Sequence, residues 1–409
     1  MWINRRKLVP DRHVDTAAVH AGRLIVPSNT PSSPPLFQAS SYEFSDLDDV
    51  EAIYAGTRDG RIYGRYGGPN AVQFESAIAE LEGAEAAVGA AAGMSAIDAA
   101  LATHLSAGDA IVATREVYGG TYALLEAEYR GRGVEVRYVD QSDLGAVARA
   151  LVGPGPRAKV LYVEALTNPL VHVADLRALA DCAHDAGATL VVDATFATPA
   201  HVRPLAFGAD LVVHSVGKYL GGHGDVGAGV LAGRAGAIAA ARAYLIRRGA
   251  TLPHFEAWLA VRGLRTLALR MERHASNARA VAASLARQPH VARVFHPSLA
   301  SHPQYALAAR DYPHGTGGIV AFDLAGGAAC VDPFLRGLET IAIVHSLGEV
   351  ATTVSYPAVS SHRPLPVAER EALGVGAATL RISCGIEHPS DLIADLARAF
   401  GGLGGHPRA

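Results

Sequence analysis

The stretch ADLVVHSVGKYLGGHGDVGAG, Ala209 to Gly229, sets a short β-branched apolar run against a single lysine and a cluster of glycines. The run DLVVHS reads as a strand that ends in the polar residues His214 and Ser215, so Lys218 falls just past a strand end. The glycines match G-x-G-x-x-G at Gly222, Gly224 and Gly227. A dinucleotide fingerprint needs a strand before it and a helix after it, whereas here KYL precedes and the strand-like AGVLAG follows. The lysine is therefore the feature to explain. Of 36 Lys and Arg residues only Lys7, Lys159 and Lys218 are lysine. Arginine stays charged, whereas a partly desolvated lysine can lose its proton and attack a carbonyl. Lys218 is a candidate for amine chemistry, against the plainer reading that a rare residue must fall somewhere.

Working outward, similar runs occur at AIVA (from 110), VEVRYVD (from 134), KVLYVEA (from 159) and TLVVDA (from 189), separated by helical stretches. This alternation predicts an α/β fold with a mainly parallel sheet covered on both faces. Ligands in such sheets sit at the carboxyl ends of the strands, and several runs end in polar residues: Asp140, Glu164 with Asn168 close behind, Asp193, and His214 with Ser215. Ordinary loop polarity is the competing explanation for each. Residues 1–62 are rich in Pro, Ser and polar residues and read as an N-terminal arm of the kind that wraps a partner subunit. Residues 63–255 form the large domain. From 256 to 409 the text turns helical, then gives the strands GGIVAFDL and TLRISCGIE and the helix SDLIADLARAF, which predicts a smaller α+β domain with a frayed tail, GGLGGHPRA.

A hydrophobic fraction of 50% over 409 residues can bury a large core. Net charge is −3 with no block of like charges, so there is no footprint for nucleic acid or an anionic membrane, and a small molecule is the expected partner. Cys182, Cys330 and Cys384 are odd in number and in no CxxC spacing, which fits a reducing, cytoplasmic setting. No signal peptide is read at the N-terminus, and the Ala-rich run 84–105 is too interrupted to span a bilayer. Eighteen histidines show no metal-binding spacing, and GMSAI at Gly93 lacks the last glycine of a serine-hydrolase elbow.

Lysine-based carbonyl chemistry points to a Schiff base, most commonly with pyridoxal phosphate, which needs an anion cradle and a carboxylate facing its ring nitrogen. Asp193 supplies the carboxylate, and the turn at Gly93 and Met94, opening the helix MSAIDAALATHL, offers backbone N–H groups, with Ser215 near Lys218. At this point YGRYGGPN (63), AAGMSA (91), YGGTY (118), EALTNP (164), DATFATP (193), HSVGKYLGGHGD (214), SLG (346), YPAVSSHR (356) and RISCGIE (381) together resemble, in order and spacing, the Cys/Met-metabolism family of pyridoxal phosphate enzymes. That family includes cystathionine γ-synthase, cystathionine γ-lyase, methionine γ-lyase and O-acylhomoserine sulfhydrylase.

The resemblance implies fold type I, with a seven-stranded, mainly parallel sheet. It implies that Lys218 binds the cofactor and then moves protons, that Asp193 keeps the ring nitrogen protonated, and that Tyr118 stacks on the ring and handles the leaving group. Gly93, Met94 and Ser215 would form the phosphate cup, with Thr195 and Asn168 also at the cofactor. Tyr63 and Arg65 would reach the phosphate of a neighbouring subunit, making a homodimer with shared sites, usually paired into a tetramer. Arg381 would clamp the substrate α-carboxylate, beside Ser346 and Leu347. Metal plays no part.

Four positions depart from the pattern. Gly217 stands where a phosphate-binding Thr is usual. Ala123 stands where members that handle cystathionine carry Arg, and Gly120 where methionine γ-lyases carry Cys. His345 precedes SLG where Glu, Tyr or Val is usual. These residues predict a substrate whose distal end is less charged than cystathionine, with His345 and Tyr122 as candidate contacts. The expected reaction is γ-elimination from a methionine-, homocysteine- or cystathionine-like amino acid. The alternatives are γ-replacement on an activated homoserine, β-elimination, a recruited member acting on another γ-substituted amino acid, and a cofactor-binding protein without turnover.

Overall fold

Strict alternation along the central strands assigns their side chains to two separate cores. Val112, Leu161, Val163, Leu190, Val192 and Val212 belong to one, and Ile111, Ala113, Val160, Tyr162, Val191 and Val213 to the other. A strand apolar on both faces must be covered on both. The computed structural model describes residues 13–22, 31–363 and 365–403. The expected frayed tail beyond 403, and 1–12 and 23–30 of the expected arm, lie outside the described residues.

The large sheet comprises β1 (Ala86–Ala90), β2 (Ala110–Thr114), β3 (Glu135–Val139), β4 (Ala158–Glu164), β5 (Thr189–Asp193), β6 (Leu211–Ser215) and β7 (Gly229–Gly233). Its order is β1-β7-β6-β5-β4-β2-β3. Only β7 runs against the others, pairing antiparallel with both β1 and β6. The carboxyl ends of β4, β5 and β6 therefore lie side by side, with Glu164 opposite Asp193 and Asp193 opposite Val213. The expected mainly parallel sheet is present.

A second sheet contains β8 (Val291–Phe295), β9 (Ile319–Leu324), β10 (Ala342–Ile343), β11 (Thr353–Ser355) and β12 (Thr379–Ser383), ordered β10-β11-β12-β9-β8. Val320, Phe322, Leu380 and Ile382 share a core with Val281 and Leu285 of helix Leu267–Leu285 and Leu396 and Phe400 of helix Pro389–Gly401. Alternation sends Arg381 to the opposite face, where its register partner Ala321 clusters with Leu170 of the large-sheet connection. The period of two thus delivers a guanidinium from the small sheet to the edge of the large one.

The first 62 residues are not wholly extended. Helix Val14–His20 buries Ala17 and Ala18 in the main core, and helix Leu47–Tyr54 is capped by the Asp46 side chain, which accepts the Asp49 N–H at 2.7 Å. Among the described residues no helix is long and apolar enough to cross a membrane.

Candidate active site

Lys218 follows β6 in a tight turn, in which the Lys218 N–H donates to the Ser215 carbonyl at 3.2 Å and the Gly222 N–H to the Lys218 carbonyl at 2.7 Å. A Cβ at Gly217 would run into the Val226 carbonyl, so glycine is what this turn accommodates. Arg270 holds the segment that follows. It is buried, and it donates to the carbonyls of Tyr219 (2.6 Å), Leu220 (3.4 Å) and Gly263 (2.8 Å) and to Thr266 Oγ1 (3.1 Å). Burial without a countercharge brings this guanidinium down to about 10.

The Lys218 Nζ donates to Ser346 Oγ at 3.1 Å. Burial lowers its pKa, the Arg381 charge lowers it further, and Glu349 partly opposes them. Arg381 is buried; its Nη1 donates to Asn168 Oδ1 at 3.0 Å and its Nη2 to the Ser346 carbonyl at 3.2 Å. Its Nε is buried without a partner, and burial brings the group to about 10. An unpaired N–H on a buried cation lacks an anionic acceptor, the arrangement that suits a carboxylate.

Asp193 ends β5, where its Oδ1 accepts the Thr195 N–H at 2.9 Å and its Oδ2 the Tyr162 hydroxyl at 3.2 Å. Thr195 Oγ1 in turn accepts the Ser215 N–H at 2.9 Å. Helix Gly93–Ala102 begins beside them with no side-chain cap. A Cβ on Gly93 would lie 2.8 Å from Ser215 Cβ, so the glycine lets the helix start against Ser215. Its free N–H groups, with the hydroxyls of Ser215 and Thr195, make donors available to an anion.

Tyr118 is 45% exposed, and its N–H donates to Glu164 Oε1 at 2.6 Å. Its ring lies against Gly120, where a Cβ would come 2.5 Å from Tyr118 Cε1 and 3.1 Å from Met94 Sδ. Tyr118 and Met94 therefore converge over a bare Cα.

Lys218, Ser346, Arg381 and Asn168 are linked by hydrogen bonds, as are Asp193, Thr195 and Ser215. Leu347 is buried behind Ser346. His345 is exposed. Tyr122 packs on Tyr138 with ring centroids 5.4 Å apart and lines a cleft of about 480 Å³ with Arg115, Glu126, Arg130 and Glu369, to which Lys218 and Arg381 do not contribute. Tyr63 is 47% exposed and bridged to Ser41, and Arg65 Nη1 donates to the Ile246 carbonyl at 3.1 Å. Of the strand-end polar residues, His214 is fully buried and pairs with Glu82 at 2.6 Å. Among the described residues no group of three or more His, Cys, Asp or Glu could hold a metal ion. Sequence reading did not find Arg270 or Glu349, and Glu164 appeared only as a polar strand end.

A family described as Cys/Met metabolism PLP-dependent enzyme matches residues 15–401. The chain is 41% identical over 389 residues to O-succinylhomoserine sulfhydrylase of Pseudomonas aeruginosa, covering 95% of each chain. It is 38% identical over 383 residues to L-methionine gamma-lyase of Pseudomonas putida, covering 93% of each. The crystal structure of cystathionine gamma synthase from Xanthomonas oryzae pv. oryzae superposes with a TM-score of 0.90 at 35% identity, over 96% of this chain and 99% of that one.

Proposed function

The chain belongs to the Cys/Met-metabolism family of pyridoxal phosphate-dependent enzymes, and from that premise we propose that it eliminates the γ-substituent of a sulfur-containing α-amino acid, giving a thiol, ammonia and a 2-oxo acid. The observation that carries the reading is the joining of two groups through Ser346: its hydroxyl takes the Lys218 amine, and its carbonyl takes Arg381, whose Nε is unpaired. A carboxylate held by that guanidinium brings the rest of an α-amino acid close to an amine that burial keeps easy to deprotonate.

The residues fit the cofactor. Lys218 would carry it covalently, and Asp193 would face its ring nitrogen. The N–H groups at Gly93 and Met94 and the hydroxyls of Ser215 and Thr195 would hold its phosphate, with Tyr118 over the ring and Asn168 at its edge. Once bound, the cofactor supplies an electron sink for the charge that develops at the substrate Cα. Lys218, freed when the substrate amine takes its place on the cofactor, would take the Cα proton on Nζ and, in its protonated form, return one. Tyr118, 45% exposed, would face the departing group. Tyr63 and Arg65, which turn to Ser41 and Ile246 within their own chain, would serve the site of a second copy, so the active unit is a homodimer, paired into a tetramer as is usual in the family. Three free cysteines suit a cytoplasmic setting.

Ala123 is exposed and brings no charge to the position where cystathionine-handling members carry Arg, which favours a substrate with an uncharged distal end, such as L-methionine. The similarity to the sulfhydrylase favours a second reading, γ-replacement on an O-acylhomoserine. The two share every proton transfer above and differ in the leaving group, a thiol or a carboxylate, and in whether a thiol or sulfide adds at the γ-carbon before the amino acid is released.

The test measures 2-oxo acid release from L-methionine and L-cystathionine, and consumption of O-succinylhomoserine with and without sulfide, with Lys218→Ala as the blank. Release that prefers methionine supports elimination. Consumption of the ester that depends on sulfide, without 2-oxo acid, moves the function to replacement. Ala123→Arg is expected to raise turnover of cystathionine relative to methionine; no gain counts against the assignment of Ala123.

A further inference from the structure

Glu164 ends β4 opposite Asp193 and has no part in the chemistry above. Its side chain reaches two connections that are far apart in sequence. Oε1 accepts the N–H of Tyr118, 46 positions away, at 2.6 Å. The backbone N–H of Asn168, four residues on, acts on the same carboxyl and favours its charged form; Asn168 lies in the hairpin closed by the Leu166–Val173 bridge. From Asn168 the chain of contacts continues, because its Oδ1 accepts from Arg381 Nη1 at 3.0 Å. Behind Glu164, Gln141 Nε2 donates to the Glu164 carbonyl at 3.1 Å and fixes the backbone from which the side chain projects. The residue is buried, so water does not offer these N–H groups an alternative.

Asp193, by contrast, spends one oxygen on the N–H of its own turn at Thr195. Glu164 joins the connection after β4 to the one after its parallel neighbour β2, beyond the point where the pairing of the two strands ends. We propose that Glu164 is a positioning residue which, by accepting the N–H groups of Tyr118 and Asn168 together, sets the spacing between the Tyr118 ring and the guanidinium of Arg381. The proposal rests on the reading that these two groups flank the substrate. Burial first, and then the Asp193 charge, push the Glu164 carboxyl well above its usual range. The two N–H groups therefore need an acceptor oxygen more than a charge, and glutamine, which keeps one such oxygen, is the conservative replacement.

The test compares wild-type holoenzyme with Glu164→Ala and Glu164→Gln. It reads cofactor content, steady-state kinetics, and the dissociation constant of glycine, an amino acid without a γ-substituent, from the change it causes in the visible absorption of the bound cofactor. The Ala variant is expected to retain cofactor, to bind glycine about tenfold more weakly, and to lose about a hundredfold in kcat/KM through both KM and kcat, as about 1 Å of misplacement does. Gln is expected to restore most of the glycine affinity. Unchanged glycine affinity in Glu164→Ala overturns the proposal, and so does a Gln variant as impaired as Ala. If the Ala variant does not fold, amide hydrogen exchange in the wild type decides: protection of Tyr118 and Asn168 comparable to β4 supports the clamp, and exchange at the rate of an open loop overturns it. Failure of the functional reading shows separately, as a wild type that binds glycine yet releases no 2-oxo acid from any substrate tried.

Discussion

Replacing Arg381 with lysine keeps a positive charge at the middle of the same strand and removes the fork. In the wild type, Nη1 is committed to Asn168 at 3.0 Å and Nη2 to the Ser346 carbonyl at 3.2 Å, which leaves Nε as the buried donor without a partner. A lysine ammonium can serve one of those neighbours while facing a carboxylate, but it cannot reproduce three donors in one plane. The substrate then loses about one charge-assisted hydrogen bond, worth about 1.5–3 kcal/mol. At about 1.4 kcal/mol per decade, KM rises roughly 10- to 150-fold. The cofactor is held by other residues, so its content should not change. The assay is initial-rate 2-oxo acid release by Arg381→Lys on the amino acid that the wild type turns over best, with cofactor content read from absorbance. A variant that loses kcat while keeping the wild-type KM would show that Arg381 does not hold the substrate, and the assignment built on its unpaired Nε would fall.

Two further predictions concern charge. Because burial and Arg381 lower the Lys218 pKa while Glu349 opposes them, Glu349→Gln should lower it further. The pH midpoint for pyridoxal phosphate capture by the apoenzyme then moves down; a midpoint that stays or rises shows that Glu349 does not act on the amine. His172 feels burial, which disfavours its charge, but Glu116 at 2.8 Å outweighs it and raises the pKa above 6.5. A raised folded-state value means that the pair's stabilisation is fully present below about 6.5 and fades as pH climbs through the folded value. His172→Gln should therefore depress the melting temperature at pH 6 and much less at pH 9, and an equal depression at both would assign the loss to packing.

The large sheet was legible because its strands are short β-branched runs: β2 to β6 fall on AIVA, VEVRYVD, KVLYVEA, TLVVDA and DLVVHS. Strand β1 was not, since AAVGA carries a single β-branched residue inside an Ala-rich run, and its place is fixed by pairing with β7. In the small sheet, β9 and β12 were read, whereas two-residue β10 and three-residue β11 exist only through their neighbours. In the site, Asp193 and Ser215 could be found because strand ends in one parallel sheet share an edge. Arg381 was reached only through the family resemblance, because the register of a second sheet and the packing of Ala321 on Leu170 carry it there. Arg270 and Glu349 have no local signature at all, since each acts on backbone or charge brought near by the turn after Lys218.

Gly217 shows why a motif departure is better judged in three dimensions than by the missing group alone. From the sequence, glycine before Lys218 subtracts a hydroxyl from the phosphate contacts. In the fold, its Cα faces the Val226 carbonyl so closely that no side chain fits, while the Val216 N–H donates to the Ala228 carbonyl at 2.9 Å and holds the two segments together. The residue at 217 is thus coupled to the path of the glycine-rich segment 221–229, and a threonine there would first have to displace that segment from the lysine turn. The hydroxyl lost from this position would be offset by groups already at the edge: Thr195 Oγ1 accepts the Ser215 N–H, and helix Gly93–Ala102 starts without a side-chain cap. The anion cradle proposed above, assembled from a helix start and the hydroxyls of Ser215 and Thr195, would not depend on the side chain that Gly217 lacks.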